Sequence, residues 1–120
     1  MEDRKRIIVT DDDPAIQDAV RMMLERRGYE VTVFSDGSPL LKGAYSKPHL
    51  FILDKQLPGV DGLDICRYLK AQDATKNIPV LILSASPQIG PQAKAACADG
   101  FLEKPFKMQE LRDIVGRLVE

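Results

Sequence analysis

Five short apolar runs alternate with stretches of helical spacing along this chain: Arg6–Val9, Glu30–Phe34, Leu50–Leu53, Ile78–Leu83 and Gly100–Glu103. The first, third and fourth are nearly continuous Ile, Leu and Val, the pattern of strands covered by helices on both faces. The second alternates and the fifth is short, which places them toward the edges of a sheet. Pro79 falls at the start of its run, where a missing ladder N–H is tolerated. Between the runs the period changes. Ile16, Ala19, Val20, Met23 and Leu24 follow helical spacing, with Gln17, Asp18, Arg21 and Glu25 on the opposite face. Asp13-Pro14 reads as an N-cap followed by proline at the first helical position, and Gly28 as the stop. A third helix is expected from Leu63 to Ala71, with Leu63, Cys66 and Leu69 on its inner side. The last carries Met108, Leu111, Val115 and Leu118 and runs almost to Glu120. Pro39 and Gly43 shorten the segment after the second strand; Pro87, Gly90 and Pro91 delay the one after the fourth.

A βα unit repeated five times implies an α/β fold: a doubly wound, parallel, five-stranded sheet with helices on both faces. No repeat, low-complexity stretch or linker interrupts the 120 residues. Residues 1–120 are therefore expected to form one domain, with no effector domain beside it.

Composition narrows the function. Lys and Arg total 17 against 18 Asp and Glu, a net charge of −1. That balance offers no basic field for DNA or RNA, so direct nucleic-acid binding is not expected. The apolar share of 44% suffices for a core and is too high for a disordered chain. No run approaches the roughly 18 residues of a membrane span, and Met1–Arg6 lacks the apolar stretch of a signal peptide. Cys66 and Cys97 have neither CxxC spacing nor partner histidines, so they suggest free thiols in a reducing compartment. The expectation is a soluble cytoplasmic domain without membrane contact.

In open α/β sheets, ligands bind beyond the carboxyl ends of the strands, where strand order reverses. Asp11, Asp12 and Asp13 follow the first strand, Asp54 ends the third, Ser84 follows the fourth, and Lys104-Pro105 follows the fifth. If the order is 2-1-3-4-5, the acidic ends of strands one and three meet at the switch point. Carboxylates gathered this way repel one another unless a cation or a shared proton compensates them. Oxygen donors without histidine or thiolate favour Mg²⁺. Asp13 is better used as the helix cap, which leaves Asp11 and Asp12 with Asp54. A metal-storage site gains nothing from Lys104 and Ser84, whereas a phosphoryl group needs metal, cation and hydroxyl donor together. The attacking group must then be a carboxylate, and Asp54 fits as an aspartyl nucleophile.

At this point the chain resembles the receiver domain of two-component response regulators over essentially its whole length. The matching pieces are Ile7-Ile8-Val9-Thr10-Asp11-Asp12-Asp13-Pro14, Leu53-Asp54-Lys55-Gln56-Leu57-Pro58-Gly59-Val60-Asp61-Gly62, Ser84-Ala85 and Lys104-Pro105-Phe106. Each is weak alone, but in this order at strand ends they are highly specific. The resemblance implies a flavodoxin-like, CheY-like fold. It implies Asp54 as phosphoacceptor, with Asp11, Asp12, Asp54 and the backbone carbonyl of Gln56 holding Mg²⁺. Ser84 would bond one phosphoryl oxygen and Lys104 another, and the Lys104-Pro105 peptide would be cis. Phosphorylation would draw Ser84 inward, let Phe101 follow, and reshape the face made by the fourth helix, fifth strand and fifth helix. The implied partners are a sensor histidine kinase or a His-containing phosphotransfer protein, and a downstream protein the sequence does not name. The implied assembly is a monomer or a phosphorylation-dependent dimer.

Several positions depart from the family pattern. Ser84 stands where Thr is commoner, and Phe101 removes a phenol hydrogen bond from the switch. Lys55 follows the phosphoacceptor directly, where it either favours an ionised Asp54 or points to solvent. Ser84 and Phe101 are 17 positions apart, about two fewer than the resemblance implies, so the fourth helix should be short or displaced. Gln56 and Ser86 occupy positions that tune phosphate lifetime in the family.

Ordinary structural roles compete for some of these residues. Ser84 has a second reading as a cap for the following helix. His49 begins the third strand away from the site and reads as structural. Cys66, Leu63 and Met108 lie on apolar stripes and read as core. Two other functions share parts of this pattern. A Mg²⁺-dependent aspartyl-phosphate phosphohydrolase would need a second acid two residues beyond the nucleophile, where this chain has Gln56. A flavin carrier would need hydroxyls after strand one, where three aspartates stand.

Overall fold

The computed structural model describes residues 4–120; residues 1–3, which belong to the N-terminal segment read above for a leader, lie outside the described residues. The chain runs β1 (Arg6–Thr10), α1 (Pro14–Arg26), β2 (Glu30–Phe34), α2 (Ser38–Lys42), β3 (Leu50–Asp54), a small antiparallel hairpin pairing 56–57 with 60–61, α3 (Gly62–Ala71), β4 (Val80–Ser84), α4 (Ile89–Ala95), β5 (Gly100–Glu103) and α5 (Met108–Leu118). The five long strands are parallel, in the order β2-β1-β3-β4-β5. The five parallel strands are those expected from the apolar runs, and their order is the flavodoxin-like one that the resemblance implied.

Side chains alternate across the sheet and build two cores. On one face, Ile8, Phe51, Leu53, Val80 and Ile82 pack under α2, α3 and α4 through Leu40, Ile65, Cys66, Leu69 and Ile89. On the other, Ile7, Val9, Leu50, Ile52, Leu81 and Leu83 pack under α1 and α5 through Val20, Leu24, Leu111 and Val115. Every residue of β3 and β4 is buried, which explains their unbroken apolar sequences. β2 and β5 keep exposed positions because they are the edges. Among the described residues, no helix is long and apolar enough to cross a membrane.

The boundaries follow local chemistry. Asp13 accepts the Ala15 N–H (2.9 Å) and Pro14 opens α1. Gly28 leaves the helix at φ +87°, a left-handed turn natural to glycine. α4 is short, as the prolines predict. Ser84 Oγ accepts the Ser86 N–H (3.0 Å) and Ser86 Oγ accepts the Gln88 N–H (3.1 Å), so two side-chain turns occupy the residues before Ile89. The reading of Ser84 as a helix cap is thereby corrected: it closes a turn two residues on, and α4 starts later. Met108 is also corrected from core to surface. It is 37% exposed, because at the first position of α5 no preceding turn covers it. His49 lies at the far end of the sheet, where its Nδ1 accepts the Arg6 N–H (2.9 Å).

Candidate functional site

The strands end in step. Thr10 pairs with Leu53, Asp54 with Leu83, and Ser84 with Glu103, so Asp11, Asp54, Ser84 and Lys104 emerge along one edge of the sheet. Backbone bonds prolong the ladders past the strand ends: Asp11 N–H donates to Phe34 O (3.1 Å), Lys55 N–H to Leu83 O (2.8 Å) and Lys104 N–H to Ser84 O (2.7 Å). The candidate side chains are thus carried on hydrogen-bonded backbone. The Lys104–Pro105 peptide is cis, as expected.

Asp11 is fully buried, and each of its oxygens has a partner. Oδ1 accepts the Asp13 N–H (2.9 Å) and Oδ2 takes the Lys104 ammonium (3.1 Å). The same ammonium lies 3.3 Å from Asp54 Oδ1. Burial, and then the neighbouring Asp11 charge, raise the Asp54 carboxyl above the ordinary carboxylate range; Lys104 and a Gln56 backbone N–H pull it back without cancelling the rise. Burial alone would lower the Lys104 value, but its bonds to Asp11 and Asp54 outweigh that and hold the ammonium above the usual lysine range.

Asp12 completes the acidic group from an exposed position. Asp11, Asp12 and Asp54 each offer an oxygen, all within 4.8 Å of one another. Three carboxylates facing one ammonium leave two negative charges uncompensated, which suits a divalent cation. The donors are all oxygen, the preference of Mg²⁺. Asp13 stays with α1, so only two of the three consecutive acids reach the cluster.

Two hollows meet at Asp54 and Lys104. One, of about 420 Å³, is walled by Asp11, Asp12, Asp13, Gln56 and Pro58. The other, of about 240 Å³, is walled by Lys55, Gln56, Ser84, Ala85 and Ser86. The acids therefore face one side of the Asp54 carboxylate, and the hydroxyl with backbone groups faces the other. Ser84 Oγ accepts from Ser86, and its own O–H remains to donate to a ligand. Phe101 stands opposite Ile82 on the Ser84 side of the sheet, 47% exposed, its ring over Gly90 at the start of α4.

Three features of the site have no clear signature in the sequence. Gln17 Nε2 donates to the Asp11 carbonyl and to Ser35 Oγ, tying the acidic loop to the β2 end; helical spacing placed it only on a polar face. Gly62 packs its α-carbon against the Asp54 backbone. Lys55 neither contacts Asp54 nor points freely to solvent; its Nζ is 3.0 Å from Asp61 Oδ2.

The family profile of the response regulator receiver domain matches residues 7–116. The chain belongs to that family. Over 112 residues the receiver is 41% identical to the DNA-binding dual master transcriptional regulator RpaA of Synechocystis sp., covering 88% of this chain and 45% of RpaA. It thus spans about half the length of the curated relatives it matches. Among solved structures, the chemotaxis response regulator CheY4 of Vibrio cholerae superposes with a TM-score of 0.88 at 28% identity, over 97% of this chain and 99% of that one. The receiver domain of the sensor histidine kinase PA1611 from Pseudomonas aeruginosa, solved with magnesium in its active-site cleft, gives 0.87 at 28% identity and 98% of both chains. The Asp11–Asp12–Asp54 cluster of this receiver is a candidate Mg²⁺ site, matching the magnesium-bound PA1611 receiver. Receiver domains are signalling modules that act on their own phosphorylation, not enzymes turning over external substrates, which disposes of the phosphohydrolase alternative. Gln56 in place of a second acid agrees with that.

Proposed function

We propose that this receiver accepts a phosphoryl group on Asp54 from the phosphohistidine of a sensor histidine kinase or a His-containing phosphotransfer protein. The supporting observation is the placement of Lys104 between Asp11 and Asp54, at 3.1 and 3.3 Å, beside a hollow walled by Ser84. Asp11, Asp12, Asp54 and the Gln56 carbonyl would hold Mg²⁺. When bound, the ion supplies charge compensation for the carboxylates and the incoming phosphoryl oxygens. Asp54 attacks phosphorus with a carboxylate oxygen, and the bond to the leaving nitrogen breaks with its electron pair. Lys104 and the Ser84 hydroxyl each bond one phosphoryl oxygen.

The output follows from the same residues. A phosphoryl oxygen draws the Ser84 hydroxyl inward, space opens behind it, and the Phe101 ring turns in from the surface. The α4–β5–α5 face then presents a different surface to a downstream protein. Phe101 has no hydroxyl, so ring packing alone separates the two states. The receiver works in the cytoplasm, as a monomer or a phosphorylation-dependent dimer. RpaA is a DNA-binding regulator of which this chain matches 45%, and the receiver profile over residues 7–116 supports a signalling role for this segment without direct nucleic-acid binding.

Incubation with Mg²⁺ and a small acyl-phosphate donor, followed by intact-mass measurement, tests the acceptor. One acid-labile phosphate that disappears in Asp54→Asn is the expected result. No phosphate, or one that survives that substitution, rejects Asp54.

A further inference from the structure

Lys55 and Asp61 form a charged pair at the lip of the reaction hollow that phosphoryl transfer, as described, leaves unused. The Lys55 backbone is clamped on both sides: its N–H donates to Leu83 O (2.8 Å) and its carbonyl accepts the Gly62 N–H (2.6 Å). Only the side chain is left to move. Lys55 borders two spaces, the hollow of about 240 Å³ holding Asp54, Ser84 and Lys104, and a depression of about 390 Å³ over the hairpin that holds Asp61. The ammonium is now on the outer side, 3.0 Å from Asp61 Oδ2.

Asp61 is the fixed half of the pair. Its Oδ1 accepts the Leu63 N–H (2.8 Å) as the N-cap of α3, and Gln56 pairs with it across the hairpin. The side chains of Lys55 and Asp61 are 22% and 38% exposed, and ion pairs this open contribute little net stability. Leaving Asp61 therefore costs Lys55 little. A reason to leave arises when an anion enters. Lys104 is shared with Asp11 and Asp54, and one Mg²⁺ would balance the two carboxylate charges left over, so an arriving phosphate group brings negative charge beyond what those two cations already offset.

We infer that Lys55 is a second phosphate-binding cation, held in reserve by Asp61, and that it favours dianionic phosphodonors over monoanionic ones. The inference rests on Asp54 as phosphoacceptor. With acetyl phosphate, an Asp54 carboxylate oxygen bonds to phosphorus while the phosphorus–oxygen bond to acetate breaks. Acetate leaves with the electron pair, and the total charge is the same on both sides. Lys55 bonds donor oxygens as they arrive, so its effect falls on loading and on salt dependence. Asp61 is a positioning residue that acts through Lys55.

The test compares initial loading rates from acetyl phosphate, a dianion at neutral pH, and phosphoramidate, a monoanion, from low to high KCl at constant Mg²⁺. Lys55→Gln should slow acetyl phosphate about three- to tenfold at low salt, flatten the salt dependence, and change phosphoramidate less than about twofold. Lys55→Arg should keep the salt dependence. Asp61→Asn retains a capping side chain and, by releasing Lys55, should raise the acetyl phosphate rate about twofold or more. The double variant should load like Lys55→Gln. Unchanged acetyl phosphate kinetics in Lys55→Gln overturn the inference, as does an Asp61→Asn gain that persists without Lys55. If the unsubstituted protein fails to load, or its label survives Asp54→Asn, the acceptor reading falls and this inference falls with it.

Discussion

Gly62 touches the backbone of Asp54 so closely that a β-carbon at position 62 would lie 2.1 Å from the Asp54 carbonyl oxygen and 2.9 Å from its carbonyl carbon. Both atoms are main chain and cannot rotate aside. The start of α3 is thereby seated directly behind Asp54, and glycine is what permits that approach. Gly62→Ala should displace the Asp54–Lys55 backbone, destabilise the domain by about 1–3 kcal/mol, and slow Asp54 loading by tenfold or more, since small misplacements of a reacting group are costly. Urea denaturation and acetyl phosphate kinetics measure the two effects.

Asp54 itself lowers stability when the metal is absent. Burial and the Asp11 charge raise its carboxyl pKa in the folded state. An acid with a raised folded pKa binds its proton more tightly folded than unfolded, so stability is lost as pH rises from the unfolded value through the folded one. The deficit is complete only above the raised folded-state value. Asp54→Asn removes it, and without Mg²⁺ that variant should melt a few degrees above the unsubstituted protein. The difference should vanish at pH values low enough to protonate the carboxyl in both states. Saturating Mg²⁺ should close it from the other side, because the ion stabilises the full acidic set more than the depleted one. Thermal melts with and without the metal check the sign.

The fold was legible because its determinants are local or periodic. Leu50–Leu53 and Ile78–Leu83 are unbroken apolar runs, and they became the two wholly buried strands; Asp13-Pro14 and Gly28 bounded α1 as written. The residues of the site were legible for a related reason: each ends or follows a strand, and a parallel sheet sends all such ends to one edge. What stayed hidden depends on distances between side chains far apart in sequence or on either side of a turn. Lys55 finds Asp61 only through the register of a two-residue hairpin. Ser84 turns back on Ser86 rather than capping α4 because Pro87 and Pro91 move the helix start to Ile89. Met108 belongs to an apolar stripe, but an end position leaves it uncovered.

The two cysteines should behave oppositely. Cys66 is wholly buried on α3, where its thiol donates to the Ala96 carbonyl (3.3 Å), and burial pushes that thiol up to about 11. At pH 8 only about one Cys66 in a thousand would be thiolate, the reactive form. Cys97 is exposed. A colorimetric disulfide reagent at pH 8 should therefore titrate one thiol quickly and the second only after denaturation. Cys97→Ser should abolish the fast phase, and Cys66→Ala should leave it intact.

The most direct test of the account is to trap the acyl phosphate chemically. Borohydride reduces an aspartyl phosphate to homoserine, so treating the acetyl-phosphate-loaded protein and sequencing its peptides by mass spectrometry reports which carboxylate carried the group. The account predicts homoserine at position 54 alone, in samples loaded with Mg²⁺ and not in samples loaded in chelator. Homoserine at Asp11, Asp12 or elsewhere, or loading of Asp54 that is indifferent to the metal, would contradict it.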